Sequence, residues 1–240
     1  MASPIFQAIV FMHYKNSNFL ISFGNNSNAP FTIEEFRNNI FTNKALLQNK
    51  ISKNRIFLHQ THSNYGQIYK NNFSSFDYQG DYLITKEPEV EIGILTADCL
   101  PIIFYDSKNN VIAIAHSGWK GSLSGIVDKV LEDLKTNFFV DFNDLEIFFG
   151  PSAKKCCYEV SESFLENSKE DIFKASIIFR DKIIFDNVYY SKQRLMALGI
   201  KEEQINLDYN ICTMCNLQFS SVRRLGVKSG LQPTTIKLIG

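Results

Sequence analysis

Three side chains stand where a chain that is otherwise filling a core would not put them. Asp98 and Cys99 close the apolar run EIGILTADC, and His116 closes the run VIAIAHS. Acid, thiol and imidazole are poor core residues, so either they are accommodated incidentally or the strands exist to present them. A third segment, FLHQTHSN, places His59 and His62 around the end of RIFLHQ. Strand ends are where scaffolds present working residues. If these strands neighbour one another, His62, Cys99 and His116 converge at one rim of a sheet. Two imidazoles and a thiolate suit Zn²⁺ or copper and leave an open fourth position, the arrangement of a catalytic metal site. Such a metal lowers the pKa of a bound water towards about 7, and Asp98 beside the thiol could orient that water or carry its proton. The alternative is that Cys99 is a small buried hydrophobe and each histidine a satisfied polar residue. No HExxH or doubled CxxC spacing is present, so spacing alone leaves the choice open. His13, alone on an expected edge strand, reads as a surface residue.

Other segments carry weaker signals. HSGWKG offers Gly118 and Gly121 at a strand-to-helix junction with Lys120 nearby, either an anion site at a helix start or a glycine-assisted turn. FSSVRR supplies Arg223 and Arg224, suited to phosphate or carboxylate, or simply a solvated pair. CTMCN is a CxxC formed by Cys212 and Cys215. The adjacent Cys156 and Cys157 do not offer a normal second knuckle spacing, so a structural metal is not expected there.

The elements that must position these groups can be read from periodicity. Continuous apolar runs at 55–60, 81–86, 91–99, 101–106, 111–117 and 145–150 predict strands, several buried on both faces. SKNN at 107–110 reads as a hairpin turn. Leu123, Ile126, Val127, Val130, Leu131 and Leu134 make an apolar stripe opposite Asp128, Lys129, Glu132 and Lys135, which predicts an amphipathic helix laid on the sheet. Weaker helical patterns follow at 161–169 and 188–198. The expectation is a mixed α/β domain of layered type, one domain over residues 1–240.

Composition narrows the function classes. Lys plus Arg and Asp plus Glu are each 25, so no charge excess points to nucleic acid or an anionic membrane, and a small-molecule partner is the default. The first residues lack a basic region and a cleavage site and read as a first strand; no apolar run approaches the roughly 20 residues that span a bilayer. A soluble, cytoplasmic protein is expected. Five cysteines, an odd number, argue against a disulfide framework and for thiol or metal chemistry.

Five ordered motifs, QTH at 60–62, LTADCLPI at 95–102, AHSGWKG at 115–121, GPS with CCYEV across 150–160, and CTMCN with FSSVRR across 212–224, resemble those of the YfiH-like family, described both as multicopper polyphenol oxidoreductases and as purine nucleoside phosphorylases. The resemblance covers most of the chain from about Arg55 onwards. It implies a mixed α/β layered sandwich of sheets flanked by helices, related to toxin-type cysteine hydrolases. It implies His62, Cys99 and His116 as ligands of zinc or copper, and phosphorolysis of adenosine, guanosine or inosine and methylthioadenosine together with adenosine deamination. Asp98, Cys99 and His116 are then the expected catalytic residues, and Gln60, Lys120, Arg223 and Arg224 the expected substrate and phosphate contacts. The chain departs from the family pattern at Val222, at Ser152-Ala153-Lys154 and at Ser229-Gly230-Leu231. Two other readings compete: an amide hydrolase or peptidoglycan-precursor editing factor with Cys99 as nucleophile and His116 as base, and a non-catalytic zinc- or copper-binding protein. A true multicopper laccase is the least favoured reading, since blue-copper and trinuclear centres require many more ligands than four histidines supply.

Overall fold

The computed structural model describes residues 12–239. Its strands are β1 (Met12–Lys15), β2 (Phe19–Phe23), β3 (Phe31–Thr32), β4 (Arg55–Phe57), β5 (Gly66–Ile68), β6 (Tyr82–Thr85), β7 (Glu91–Thr96), β8 (Leu100–Asp106), β9 (Val111–Ser117), β10 (Leu145–Phe149), β11 (Ile177–Phe179), β12 (Ile183–Phe185), β13 (Ile205–Asn206) and β14 (Gly230–Leu238). The helices are α1 (Ile33–Asn39), α2 (Lys44–Asn49), α3 (Trp119–Leu123), α4 (Ile126–Phe138), α5 (Asp171–Ala175), α6 (Asn187–Ala197) and α7 (Val222–Leu225). Of the first strand expected from the sequence, residues 1–11 lie outside the described residues; Met12–Lys15 is an edge strand in which His13 Nδ1 meets Ser22 Oγ at 3.0 Å.

Two mixed sheets stack. The first has the order β1-β2-β14-β7-β4 with β3 paired to β14, and the second β13-β10-β8-β9-β6-β5. Side chains alternate between faces along a strand, so each buried run serves two cores. Ile103, Tyr105, Ile112 and Ile114 of the second sheet meet Phe19, Ile21, Ile92, Ile94 and Ile236 of the first. On its other face, Ile102, Phe104, Ala113 and Ala115 pack against Ile126, Val127, Val130 and Leu134 of α4 and Leu195 of α6. Phe57 on the outer face of the first sheet is covered by Ile40 and Leu47 from the α1–α2 segment.

 Leu95 and Phe76 belong to that same outer cluster. The result is an α/β/β/α sandwich, which explains why β8 and β9 are buried at every position and not at alternate ones.

Two local expectations change. The stripe from Leu123 to Leu134 is not one helix: the chain breaks at Ser124-Gly125, where Gly125 takes φ 82, so Leu123 belongs to α3 and α4 starts at Ile126. A left-handed residue cannot continue an α-helix, and glycine adopts it without a Cβ clash. The segment 161–169 holds a 3₁₀ turn over Glu162–Asn167 instead of an α-helix. The hairpin at 107–110 forms as expected, pairing β8 with β9 antiparallel. Ile114 is fully buried between the two sheets. Ile114→Ala should therefore lower unfolding free energy by about 2–5 kcal/mol in urea denaturation; a loss under about 1 kcal/mol would contradict tight packing between the sheets.

Candidate metal centre and cleft

The site forms where the two sheets meet, because its strands do not all share one sheet. Strands β4 and β7 lie in the first sheet and β8 and β9 in the second. This corrects the picture of neighbouring strands delivering all three groups to one rim. Cys99 occupies the link by which the chain leaves β7 and enters β8. The hairpin register sets Leu100 opposite Ser117 and Pro101 opposite His116, which carries Cys99 to the end of β9. Strand β6 pairs with β9 on its other side, Tyr82 opposite Ala115, and the His116 N–H donates to the Asp81 carbonyl at 2.7 Å. His62 arrives from the loop after β4.

One ligand atom from each of His62, Cys99 and His116 lies within 4.8 Å of the others. His62 Nε2 is 3.7 Å from Cys99 Sγ, and the two imidazole rings meet edge to face at 4.7 Å. Buried Asp81, which the sequence reading passed over as the first residue of a strand, organises the group. Its Oδ1 accepts from His116 Nδ1 at 2.8 Å and from the His62 N–H at 3.0 Å; its Oδ2 accepts from the Ser63 N–H and hydroxyl, both at 2.7 Å. Because Nδ1 donates to Asp81, Nε2 of His116 is left to face the sulfur, the orientation expected of a metal-ligating histidine backed by a carboxylate. The donor set, the shared focus and this fixed tautomer all fit a single metal ion.

The electrostatics are those of a paired site. Burial disfavours the charge on Asp81, but His116 and Ser63 outweigh it and hold its carboxyl well below the usual carboxylate range. Burial likewise opposes a charged His116, yet Cys99 and Asp81 raise it to about 10. For Cys99 burial is outweighed by His116 and His62, and the thiol falls to about 6. Gly118 is part of the same packing: a Cβ there would lie 2.9 Å from His62 Cδ2 and 3.2 Å from Cys99 Sγ. Gly118, two residues after His116, thus lets the backbone approach the two side chains.

The remaining expected residues divide. Gln60 lines a cleft of about 650 Å³ beside the three ligand candidates, but both ends of its amide are tied to the Leu95 backbone, at 2.7 and 2.8 Å. Asp98 is buried with φ 91, and its carboxylate accepts from Thr213 Oγ1 at 2.7 Å, Ser221 Oγ at 3.0 Å and the Arg223 N–H at 2.9 Å. Three donors satisfy a carboxylate that does not line the cleft. Through these contacts Asp98 anchors the strained turn before Cys99. Arg224 gives its guanidinium to the carbonyls of Thr213, Met214 and Phe219 and so clamps that loop. Lys120 is exposed, outside the cleft lining, with its ammonium 5.6 Å from the Trp119 ring. Arg223 lies at 4.2 Å over the Tyr158 ring and donates to the Glu159 carbonyl.

Periodicity missed the cleft wall. Phe36, Arg37 and Phe41, from α1 and the turn after it, line the cleft with His59. Phe41 is 76 % exposed and packs edge-on to His59 at 4.8 Å, so an aromatic surface is open to a ligand. Burial lowers the pKa of His59, against the opposing influence of Asp81. The signal in sequence was faint: Phe36 and Phe41 are five apart in a stretch with no chemistry-bearing motif.

Comparison with known proteins agrees with this architecture. The chain is 32% identical to a purine nucleoside phosphorylase of Clostridium acetobutylicum over 227 residues, 92% of each chain. It is 32% identical over 157 residues to adenosine deaminase RL5 of an unknown prokaryotic organism, covering 62% of this chain and 59% of that one. The crystal structure of the Bacillus licheniformis protein YfiH superposes with a TM-score of 0.76 at 22% identity, over 92% of both chains, and shares the fold. A family model described as multi-copper polyphenol oxidoreductase laccase matches residues 19–239, and the chain belongs to that family, the YfiH-like family its motifs resemble.

Proposed function

We propose that the protein is a metal-dependent purine nucleoside phosphorylase that acts on adenosine, guanosine or inosine and methylthioadenosine and also deaminates adenosine. The observation that carries this reading is the convergence of His62, Cys99 and His116 on one point in the wall of an aromatic-lined cleft. Zinc is the metal that a thiolate and two imidazoles suit, with copper as the alternative to be separated by metal analysis. When bound, it supplies Lewis-acid polarisation at the reacting centre.

The chain's own residues do the rest. Phe36 and Phe41 offer flat apolar surface for a purine, and the remaining polar groups of the cleft set its orientation. Asp81 acts through His116, holding the proton on Nδ1 so that Nε2 stays a donor to the metal. Gln60, tied to Leu95, fixes the loop that carries His62. His59, kept neutral by burial, stands in the cleft as a proton acceptor. Phosphate requires a cation: Arg37 stands in the cleft wall, and Arg223, outside that wall with its guanidinium over the Tyr158 ring, is the second candidate.

A second reading rests on a specific feature. Cys99, His116 and Asp81 follow one another as nucleophile, base and orienting acid do in a thiol hydrolase, and the thiol is already acidic. Chelation separates the two. If stripping metal leaves turnover of nucleosides intact while alkylating Cys99 abolishes it, the metal reading fails.

Three outcomes are expected. Asp81→Asn should weaken metal binding by about 10–100-fold in competition with a chromogenic chelator, with the folded far-UV signal retained; unchanged affinity would remove Asp81 from its positioning role. Arg37→Ala and Arg223→Ala should raise the KM for phosphate about ten-fold or more while leaving inosine formation from adenosine, which needs no phosphate, nearly unaltered. Equal loss of both reactions would argue against a phosphate contact. In metal-free protein the thiolate of Cys99 is lost only as pH falls through its lowered pKa. Its alkylation, followed by peptide mass spectrometry, should therefore keep its rate from mildly alkaline pH down to about 6 and decline below; a midpoint near the ordinary 9.0 would contradict the pairing with His116.

A further inference from the structure

The four cysteines left over from the first site are together. Cys156 and Cys157 follow β10 in the turn after Ser152, and Cys212 and Cys215 lie in the loop after β13, yet the sulfurs of all four lie within 4.8 Å of one another. Cys156 Sγ is 3.4 Å from Cys212 Sγ and 3.6 Å from Cys215 Sγ, and Cys157 Sγ is 3.2 Å from Cys215 Sγ. All four are free thiols. The expectation that Cys156-Cys157 could not partner the CxxC is thus overturned: ligand spacing in sequence matters less than the pairing of the two loops in space. We propose that these residues form a second metal site, a closed zinc centre with four thiolate ligands, which staples the two loops together.

The geometry fits one tetrahedral ion. With Zn–S bonds of about 2.3 Å, four sulfurs lie roughly 3.8 Å apart, within the range seen here. None of the sulfur pairs is at the S–S bond length of about 2.05 Å, so the four are held as thiols and not as disulfides. The loops are also held ready without the ion. Ser152 N–H donates to the Ile211 carbonyl and Thr213 N–H to the Ser152 carbonyl, both at 3.0 Å, and Asn210 Nδ2 donates to the Gly150 carbonyl at 2.6 Å. The backbone N–H groups of Cys215 and Lys154 face the Cys212 sulfur, the support that a zinc-bound thiolate uses. Four thiolates around Zn²⁺ leave a net double negative charge. The cations at the same loops are Lys154, whose ammonium reaches the Asn210 carbonyl at 2.8 Å, and Arg224, which binds the carbonyls of Thr213 and Met214 inside the CxxC turn.

A site with four protein ligands has no open position, so its role is structural. What it would stabilise is specific. Thr213, between the two cysteines of the CxxC, donates to Asp98, which anchors the turn before Cys99. Tyr158, next to Cys157, carries the Arg223 guanidinium on its ring. The staple would thus hold the far side of the Asp98–Cys99 turn. Its ligands are separate from His62, Cys99 and His116, and the proposal does not depend on the activity proposed above.

The test is metal analysis of the full chain, purified under anaerobic reducing conditions with zinc supplied. Two sites predict about two equivalents of zinc per chain in the wild type and about one in the His62→Ala/His116→Ala double variant. X-ray absorption of that variant should report four sulfur neighbours at about 2.3 Å. Cys212→Ser/Cys215→Ser should lose that ion and unfold at lower temperature. Because the serine variant could also misfold, the absorption measurement on the histidine variant decides. The proposal is overturned if the histidine variant holds no zinc, if its zinc has nitrogen or oxygen neighbours, if the four sulfurs bind iron instead, or if mass spectrometry finds them in disulfides under these conditions. Failure of the first site alone gives a different pattern: one equivalent in the wild type, kept in the histidine variant.

Discussion

A single buried carboxylate sets the geometry around which the rest of the centre is arranged. Asp81 joins the start of β6 to the end of β9 through His116 and gathers the 61–63 loop through the N–H groups of Thr61, His62 and Ser63. A charge in that position is costly to bury unless its lone pairs are satisfied, and here every partner belongs to a segment that bears on the ligand candidates. Removing the charge would leave His116 free to change tautomer and His62 free to swing with its loop. The chemistry of Cys99 follows from the same contact, because the imidazolium that Asp81 stabilises is what keeps the thiol ionised in the metal-free protein.

That arrangement needs a rigid frame. Strands β8 and β9 are buried on both faces, between the first sheet and α4, so neither can slip by a residue without moving apolar side chains onto the wrong face. The hairpin register that brings Cys99 to His116 is therefore fixed by packing far from the site. Mobility is better tolerated on the opposite wall, where Phe41 is exposed at the cleft mouth.

Support also comes from the side of the molecule away from the cleft. Asp98 stands at φ 91, a conformation that costs an ordinary residue energy, and it is held there by donors from two separate loops. One of those loops carries the CxxC and receives the Arg224 clamp. Asp98, next to the thiol, and Arg224 both bind Thr213 in that loop, so their contacts support the turn that presents Cys99.

Periodicity in the sequence was enough to determine the buried strands from 91 to 117, the hairpin between them and an amphipathic helix over most of the 123–134 stripe, because burial leaves local marks in residue type; His62, Cys99 and His116 stood out at strand ends, and the motif resemblance joined them as one ligand set. It could not reveal that β7 and β9 belong to different sheets, that Asp81 stands behind His116, that Asp98 and Arg224 turn away from the cleft, or that Cys156, Cys157, Cys212 and Cys215 meet. Each of those depends on contacts between segments tens of residues apart, and such contacts are decided by how whole layers pack. Side-chain type is written along the chain; which side chains share a charge, a proton or an ion is decided only when the sheets close on each other.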